Sequence, residues 1–312
     1  MKLRLLLFLI TCILFILMSA ALEGSSLKTA ADPEIYFQMT DPAGDEYGYG
    51  SYVYPTNIAF KPYQGLFDIL SFKVSAGPGG AVYFDTAFKT VTNPWAAPEG
   101  YIHQNLRIYL DSIPGQGSAV LPERGAYVRF HPKYGWDLCL KVVGWGNSRL
   151  ISFQNGKLNQ TPLQTQLLND HQTIRATVPE TLCGKPAKNW HYYVIVGSYD
   201  GFGEDFFRKV MARSEEWVIG GGFDEAIEPQ VMDILAPERG SHSQSRQLQS
   251  FNRETKALAE LYPVGPDLAA SNFPKWLFVM LSLVLVSGTA YLIITRPKNI
   301  IWFRVRKTKG EI

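Results

Sequence analysis

Cysteine is scarce in this chain of 312 residues, with three in all, and histidine numbers five. Neither the thiol density of a disulfide scaffold nor the Cys and His spacing of a zinc site is present. An excess of one charge is also missing: 30 Lys and Arg oppose 28 Asp and Glu, a formal net charge of +2, without a basic stripe. Nucleic acid is not an expected partner for such a surface. Catalytic motifs are missing as well, since there is no GxSxG elbow, no HExxH and no Walker loop. The Gly-rich stretch Gly220 to Glu225 has no strand-to-helix phosphate context and reads as a turn. We therefore expect a non-enzymatic protein. Before Arg239 helical periodicity is nearly absent, so the fold class expected is mainly β.

Long apolar runs occur only near the two ends. Lys2 and Arg4 precede an apolar run from Leu5 to Met18, followed by the small residues Ser19, Ala20 and Ala21. That order reads as a signal peptide over residues 1–21, because the run falls short of the ~20 residues that span a bilayer. The run from Trp276 to Ile294 carries no charge and is long enough to cross the ~30 Å hydrocarbon core as a helix. Arg296, Lys298, Arg304, Arg306, Lys307 and Lys309 follow it, the excess that marks a cytoplasmic side. The expected organisation is an exterior domain over 32–239, a stalk over 240–275 with local helix around Gln244 to Leu261, one transmembrane helix over 276–294 and a basic cytoplasmic tail over 295–312. The expected location is the cell membrane, with the amino-terminal domain extracytoplasmic. Cys139 and Cys183 both fall in that domain, and the sequence leaves open whether they pair.

Within the domain, short runs alternate with period two between Gly, Pro, Asn and Asp punctuation. Leu70, Phe72 and Val74 share one face of a strand, and so do Val82, Phe84 and Phe88; in NLRIYLD the apolar face is Leu106, Ile108 and Leu110, with Arg107 and Asp111 opposite. Side chains alternate across a strand, so one apolar face means a half-buried sheet, and two such sheets packed together hide them all.

Two groups of residues stand out as candidate sites. In DPAGDEYGYGSYVYP, from Asp41 to Pro55, Asp41, Asp45 and Glu46 offer hard oxygen donors among glycines that let the chain turn sharply. Asp68 is a candidate distant ligand, because a carboxylate between Phe67 and Ile69 needs a partner. A structural Ca²⁺ site suits these donors; a solvated acidic turn capping the first strand is the other reading. The second group is aromatic: Trp95, Trp136, Trp145 and Trp190, with Asn147 beside Trp145. Indole faces stack on apolar sugar faces while amides bond hydroxyls, which makes Trp95, Trp136, Trp145 and Asn147 candidate ligand-binding residues. A β-sandwich also uses Trp to fill its core.

Taken in order, DPAGDEYGYGSYVYP, FKPYQGLFDILSFKV, NPWAAPEGY, QNLRIYLD, YGWDLCLKVVGWGN, YYVIVGSYDGFG, EWVIGGG and VMDILAPE resemble the C-terminal binding module of glucodextranase and domains appended to some secreted amylopullulanases. The resemblance implies a jelly-roll-like antiparallel β-sandwich, akin to DOMON-like sugar-binding modules, with an accessory role near α-glucans or the envelope. The family's acidic signature is similar to Asp41, Asp45 and Glu46. The expected partner is thus a polysaccharide or envelope glycan. Two other functions are an envelope protein interaction domain and a haem-carrying DOMON-like domain with Met39 and His103 as ligands.

Overall fold

In the computed structural model, the described residues are 33–154, 156–223 and 227–269. The signal peptide, the predicted membrane helix at 276–294 and the basic tail lie outside them. Among the described residues no helix is long and apolar enough to cross a membrane. The chain is mainly β. Its first sheet has the order β1-β2-β3-β10-β9, formed by Ile35–Thr40, Ile69–Ala76, Ala81–Phe88, Thr173–Pro179 and Gln164–Leu167. The second has the order β12-β11-β4-β6-β7-β8, formed by Asp233–Ile234, His191–Ser198, Gln104–Asp111, Leu138–Val142, Arg149–Gln154 and Lys157–Pro162. Every pairing in both sheets is antiparallel.

One core draws on both sheets. Phe72, Val74, Val82 and Phe84 from the first pack in the same cluster as Leu106, Ile108, Leu110, Val194 and Val196 from the second. These are the alternate residues that period two assigns to a single face, so the two sheets lie face to face.

The outer face of the second sheet departs from the expected polar surface. All eight residues of β4 and all eight of β11 are buried. Tyr109, Tyr193 and Ile195 point away from the first core into a second one, with Phe130, Trp136, Leu248 and Leu261. Arg107 on that face has no exposed surface, and its Nε donates to Glu123 at 2.6 Å. A buried guanidinium needs such a partner, and Lys141 Nζ reaches the other Glu123 oxygen at 2.8 Å.

The residues covering this face come partly from the stretch read above as a stalk. Helix α2 (Gln244–Leu248) buries Leu248, and β13 (Ala259–Leu261) pairs in parallel with β5 (Val128–Phe130), aligning Leu261 with Phe130. Val264 then bridges to Tyr192. Residues 240–264 therefore belong to the folded domain: on an outer face of mixed polarity, Leu248, Ala259 and Leu261 join Tyr109, Tyr193 and Ile195 in the second core. Helix α1 (Glu180–Cys183) follows β10, and α3 (Pro266–Ala269) belongs to a separate compact unit. Cys139 and Cys183 are free thiols; one lies in the second core and the other in the first.

Candidate functional site

Loops at one end of the domain bring three of the four sugar-binding candidates together. Trp95, Trp145 and Asn147 line a cavity of about 790 Å³, with Ile102, Tyr199, Asp200, Phe202, Arg208 and Trp217. Cavities of this size suit a small ligand or a few sugar rings. Trp95 is 37% exposed, Trp217 42%, Trp145 49%, and Phe202 is fully exposed. Large aromatic rings left half in water around one hollow forgo burial that a core would give them.

Each ring is held by its own local device. Trp95 sits in a turn braced by Asn93, whose side chain donates to the Ala97 carbonyl and accepts from the Ala97 amide, both at 2.8 Å. Trp145 has φ of 61°, which a bulky residue rarely adopts. The Glu99 carboxylate holds this turn by accepting the Trp145 amide at 3.0 Å and the Gly146 amide at 2.6 Å. Asn147 and Tyr199 line the cavity together with Trp145.

Arg208 organises the rest. It is buried, and its guanidinium donates to the carbonyls of Trp217 at 2.8 Å and Tyr199 at 2.7 Å, to Ser198 Oγ at 3.1 Å and to Asp200 Oδ2 at 3.4 Å. It also lies against the rings of Phe60 and Trp217. Burial lowers its pKa from the ordinary value. Below Trp95, His103 is buried with both ring nitrogens lacking a hydrogen-bond partner. Burial, and then the charge of Arg208, pull its pKa down to about 3, so it is neutral near pH 7.

Trp136 is corrected by the structure. It is buried at 1% exposure, donates its indole N–H to Val120 O at 2.9 Å and packs on Tyr109 and Phe153 in the second core. Trp190 is likewise buried, in the first core. Phe202, Arg208 and Trp217 were missed. They lie in the segment 199–223, where the motifs YYVIVGSYDGFG and EWVIGGG carry the resemblance without marking which side chains face a cavity. The haem pair also has separate surroundings: Met39 pairs with Phe72 in the first sheet, whereas His103 lies between the rings of Phe60 and Trp95.

The acidic segment forms a second constellation. Carboxylate oxygens of Asp41, Asp45 and Asp233 all lie within 4.8 Å of one another. Asp41 uses one oxygen to accept the Ala236 amide at 2.9 Å, and Asp233 uses one for the Ile69 amide at 2.7 Å. Asp41 Oδ2, Asp45 Oδ1 and Asp233 Oδ1 are buried without a hydrogen-bond partner. Burial, with repulsion from neighbouring carboxylates, pushes Asp41 up to about 9 and Asp45 up to about 6, and raises Asp233 as well.

Glu46 and Asp68 take other roles. Glu46 accepts the amides of Gly65 at 2.8 Å and Phe67 at 3.3 Å, and Asp68 accepts the Gly44 amide with both oxygens, at 3.0 and 2.9 Å. Lys89 stands 3.7 Å from Asp68. Their lone pairs hold backbone loops in place, which leaves Asp41 and Asp45, joined by Asp233, as the converging oxygens. Asp233 stands nearly two hundred residues away in sequence, and the β11–β12 pairing, with the bonds from the Gly48 amide to Met232 O and from the Ile69 amide to Asp233, brings it there.

The two antiparallel sheets and the loop-borne cavity define a β-rich binding module. The chain belongs to the family described as the C-terminal binding module, SLH-like, of glucodextranase, whose model matches residues 36–263. The family is described as a binding module and not as the catalytic domain, and the match includes most of the stretch expected to be a stalk. No individual curated protein is similar enough to be counted a relative.

Proposed function

We propose that this protein is a non-catalytic module, held on the outer side of a membrane by its C-terminal segment, that binds carbohydrate in the groove of Trp95, Trp145 and Trp217. The ligand class is an α-glucan or an envelope glycan, and the two facing sheets are a jelly-roll-like sandwich that carries the binding loops. One observation carries the reading: half-exposed aromatic rings converge on one cavity beside the polar side chains of Asn147, Asp200 and Tyr199. Ring faces take the apolar faces of pyranoses, and the polar groups take hydroxyls. Trp95 and Trp217 are 6.1 Å apart and tilted by 41°, a curved platform that suits a winding α-glucan better than a flat ribbon.

The test uses the full chain in detergent. Retention on immobilised α-glucan, released by soluble maltooligosaccharide, supports the proposal. Indifference to α-glucans and to a broad panel of envelope glycans overturns it. For the tether, the chain should stay with membranes through an alkaline wash, while protease added from outside removes the domain.

A further inference from the structure

We propose that Asp41, Asp45 and Asp233 together bind one Ca²⁺ ion that clips the N-terminal loop to the C-terminal part of the domain. Carboxylates close together are common without an ion, and this cluster alone would not make a site. What distinguishes it is burial. Asp233 has no exposed surface and Asp41 is 8% exposed, yet each carries one buried oxygen without a hydrogen-bond partner, in carboxylates that come within 4.8 Å of each other. A buried carboxylate oxygen that lacks a donor carries a full desolvation penalty. Among the described residues, no Lys, Arg or His forms an ion pair with Asp41, Asp45 or Asp233 to offset it.

The size and chemistry of the space select the ion. Oxygens bound to Ca²⁺ sit ~2.3–2.6 Å from it, so opposite ligands are roughly 5 Å apart. The three oxygens lie within 4.8 Å of one another, which fits within that sphere. All three donors are carboxylates, with no His or Cys, which favours a hard cation over zinc or copper. Asp45 is only half-buried, so water can complete the coordination from its side.

The surrounding bonds show what the ion would join. Asp41 and Asp45 begin the loop to Asn57, and Asp233 lies on β12. Gln244, on α2, donates to the carbonyls of Asp45 and Gly48 and accepts the Ile234 amide at 2.8 Å. The same loop pairs Val53 with Gly220 and sends the amides of Thr56 and Asn57 to the carbonyls of Glu215 and Glu216, next to Trp217. Gly221 is required at that seam: its φ is +89°, and an added Cβ would stand 2.0 Å from the Ser51 carbonyl oxygen. Fixing Asp41 and Asp45 to Asp233 thus orders the loop that supports one wall of the groove.

The experiment compares the full chain in detergent with excess chelator and with Ca²⁺. At Ca²⁺ about a hundredfold above its Kd, the melting temperature should rise by about 5–10 °C, and hydrogen exchange should slow across Gly44 to Asn57. Asp233→Asn and the less buried Asp45→Asn should each abolish the shift. In chelator, both variants should melt at or above the wild type, because each removes one repelling charge; that outcome separates lost binding from misfolding. Mg²⁺ should give a smaller shift, since its shorter bonds suit this spacing less well. Equal melting in Ca²⁺ and chelator, with no heat on titration, overturns the proposal. A shift that survives in both variants overturns the ligand set.

Discussion

Arg208 donates a hydrogen bond to the backbone carbonyl of Trp217 at 2.8 Å while its guanidinium lies 5.6 Å from the centre of the same indole ring. One buried cation thereby fixes both the position and the tilt of an exposed aromatic wall. The planar fork is needed for this, because four acceptors around it must be met at fixed angles. Arg208→Met should cost about 2–4 kcal/mol of stability, as the Trp217 and Tyr199 carbonyls lose a charged donor. Arg208→Lys restores the charge without the fork, so it should recover little of that loss. Glucan binding should fall in both variants, measured at temperatures where each remains folded.

The exposed and the buried tryptophans should separate cleanly on substitution. Trp95→Ala, Trp145→Ala and Trp217→Ala remove half-exposed rings, and each should weaken glucan binding by about tenfold or more while shifting the melting temperature little. Trp136→Ala instead opens a cavity in the second core and should cost about 3–5 kcal/mol. At a temperature where that variant is still folded, its affinity should remain close to wild type. Calorimetric titration and thermal melts on the four variants check the contrast. A selective loss of affinity in Trp136→Ala would contradict the assignment of the groove.

The inner faces of the two sheets were legible in the sequence because alternation with period two survives wherever one face is buried and the other polar. Leu106, Ile108 and Leu110 followed the rule. Arg107 and Asp111 broke its usual corollary, since a polar face normally meets water and here meets a second layer. Nothing local announces that layer: Arg107 finds Glu123 and Asp205 only after distant segments fold back. The same reasoning explains the two sites. Asp41 and Asp45 were visible as a dense acidic run, while Asp233 stands alone inside the apolar segment VMDILA, where nothing local marks it as a ligand. Trp95 and Trp145 were visible as aromatics near glycine and proline, but sequence could not tell their exposure from the burial of Trp136. Exposure is decided by which loop covers which face, and that depends on long-range pairing.

The stretch from Arg239 to Val264 gives a direct test of that second layer. Leu248 is fully buried, although its surroundings in sequence are polar. Leu248→Ala should cost about 2–5 kcal/mol, and ending the chain after Arg239 should expose Tyr193, Ile195 and Phe130 to water. That truncated chain should bind hydrophobic dyes and resist concentration without aggregation only poorly. A flexible stalk would tolerate both changes. Unaltered melting of Leu248→Ala, followed by circular dichroism, would remove the packed segment from the domain.

Acid should weaken the floor of the groove through His103. The imidazole is 1% exposed and lies 4.8 Å from the ring of Phe60 and 5.3 Å from that of Trp95. Its pKa falls from 6.5 to about 3 on folding, first by burial and then by the charge of Arg208. Between those values the unfolded chain takes up the proton and the folded chain resists it. The contribution of neutral His103 is therefore fully present above pH 6.5 and is lost as pH falls towards about 3, with a limiting slope of about 1.4 kcal/mol per pH unit. Asp41 and Asp45 act in the opposite sense in the cation-free protein, because their pKa values are raised on folding. His103→Phe keeps an aromatic ring between Phe60 and Trp95 and removes only the titrating nitrogens, so the carboxylates contribute equally to both proteins. The variant should gain on the wild type in melting temperature as the pH is lowered from about 7 to about 4. A gap that stays constant across that range would mean that His103 does not resist protonation in the folded domain.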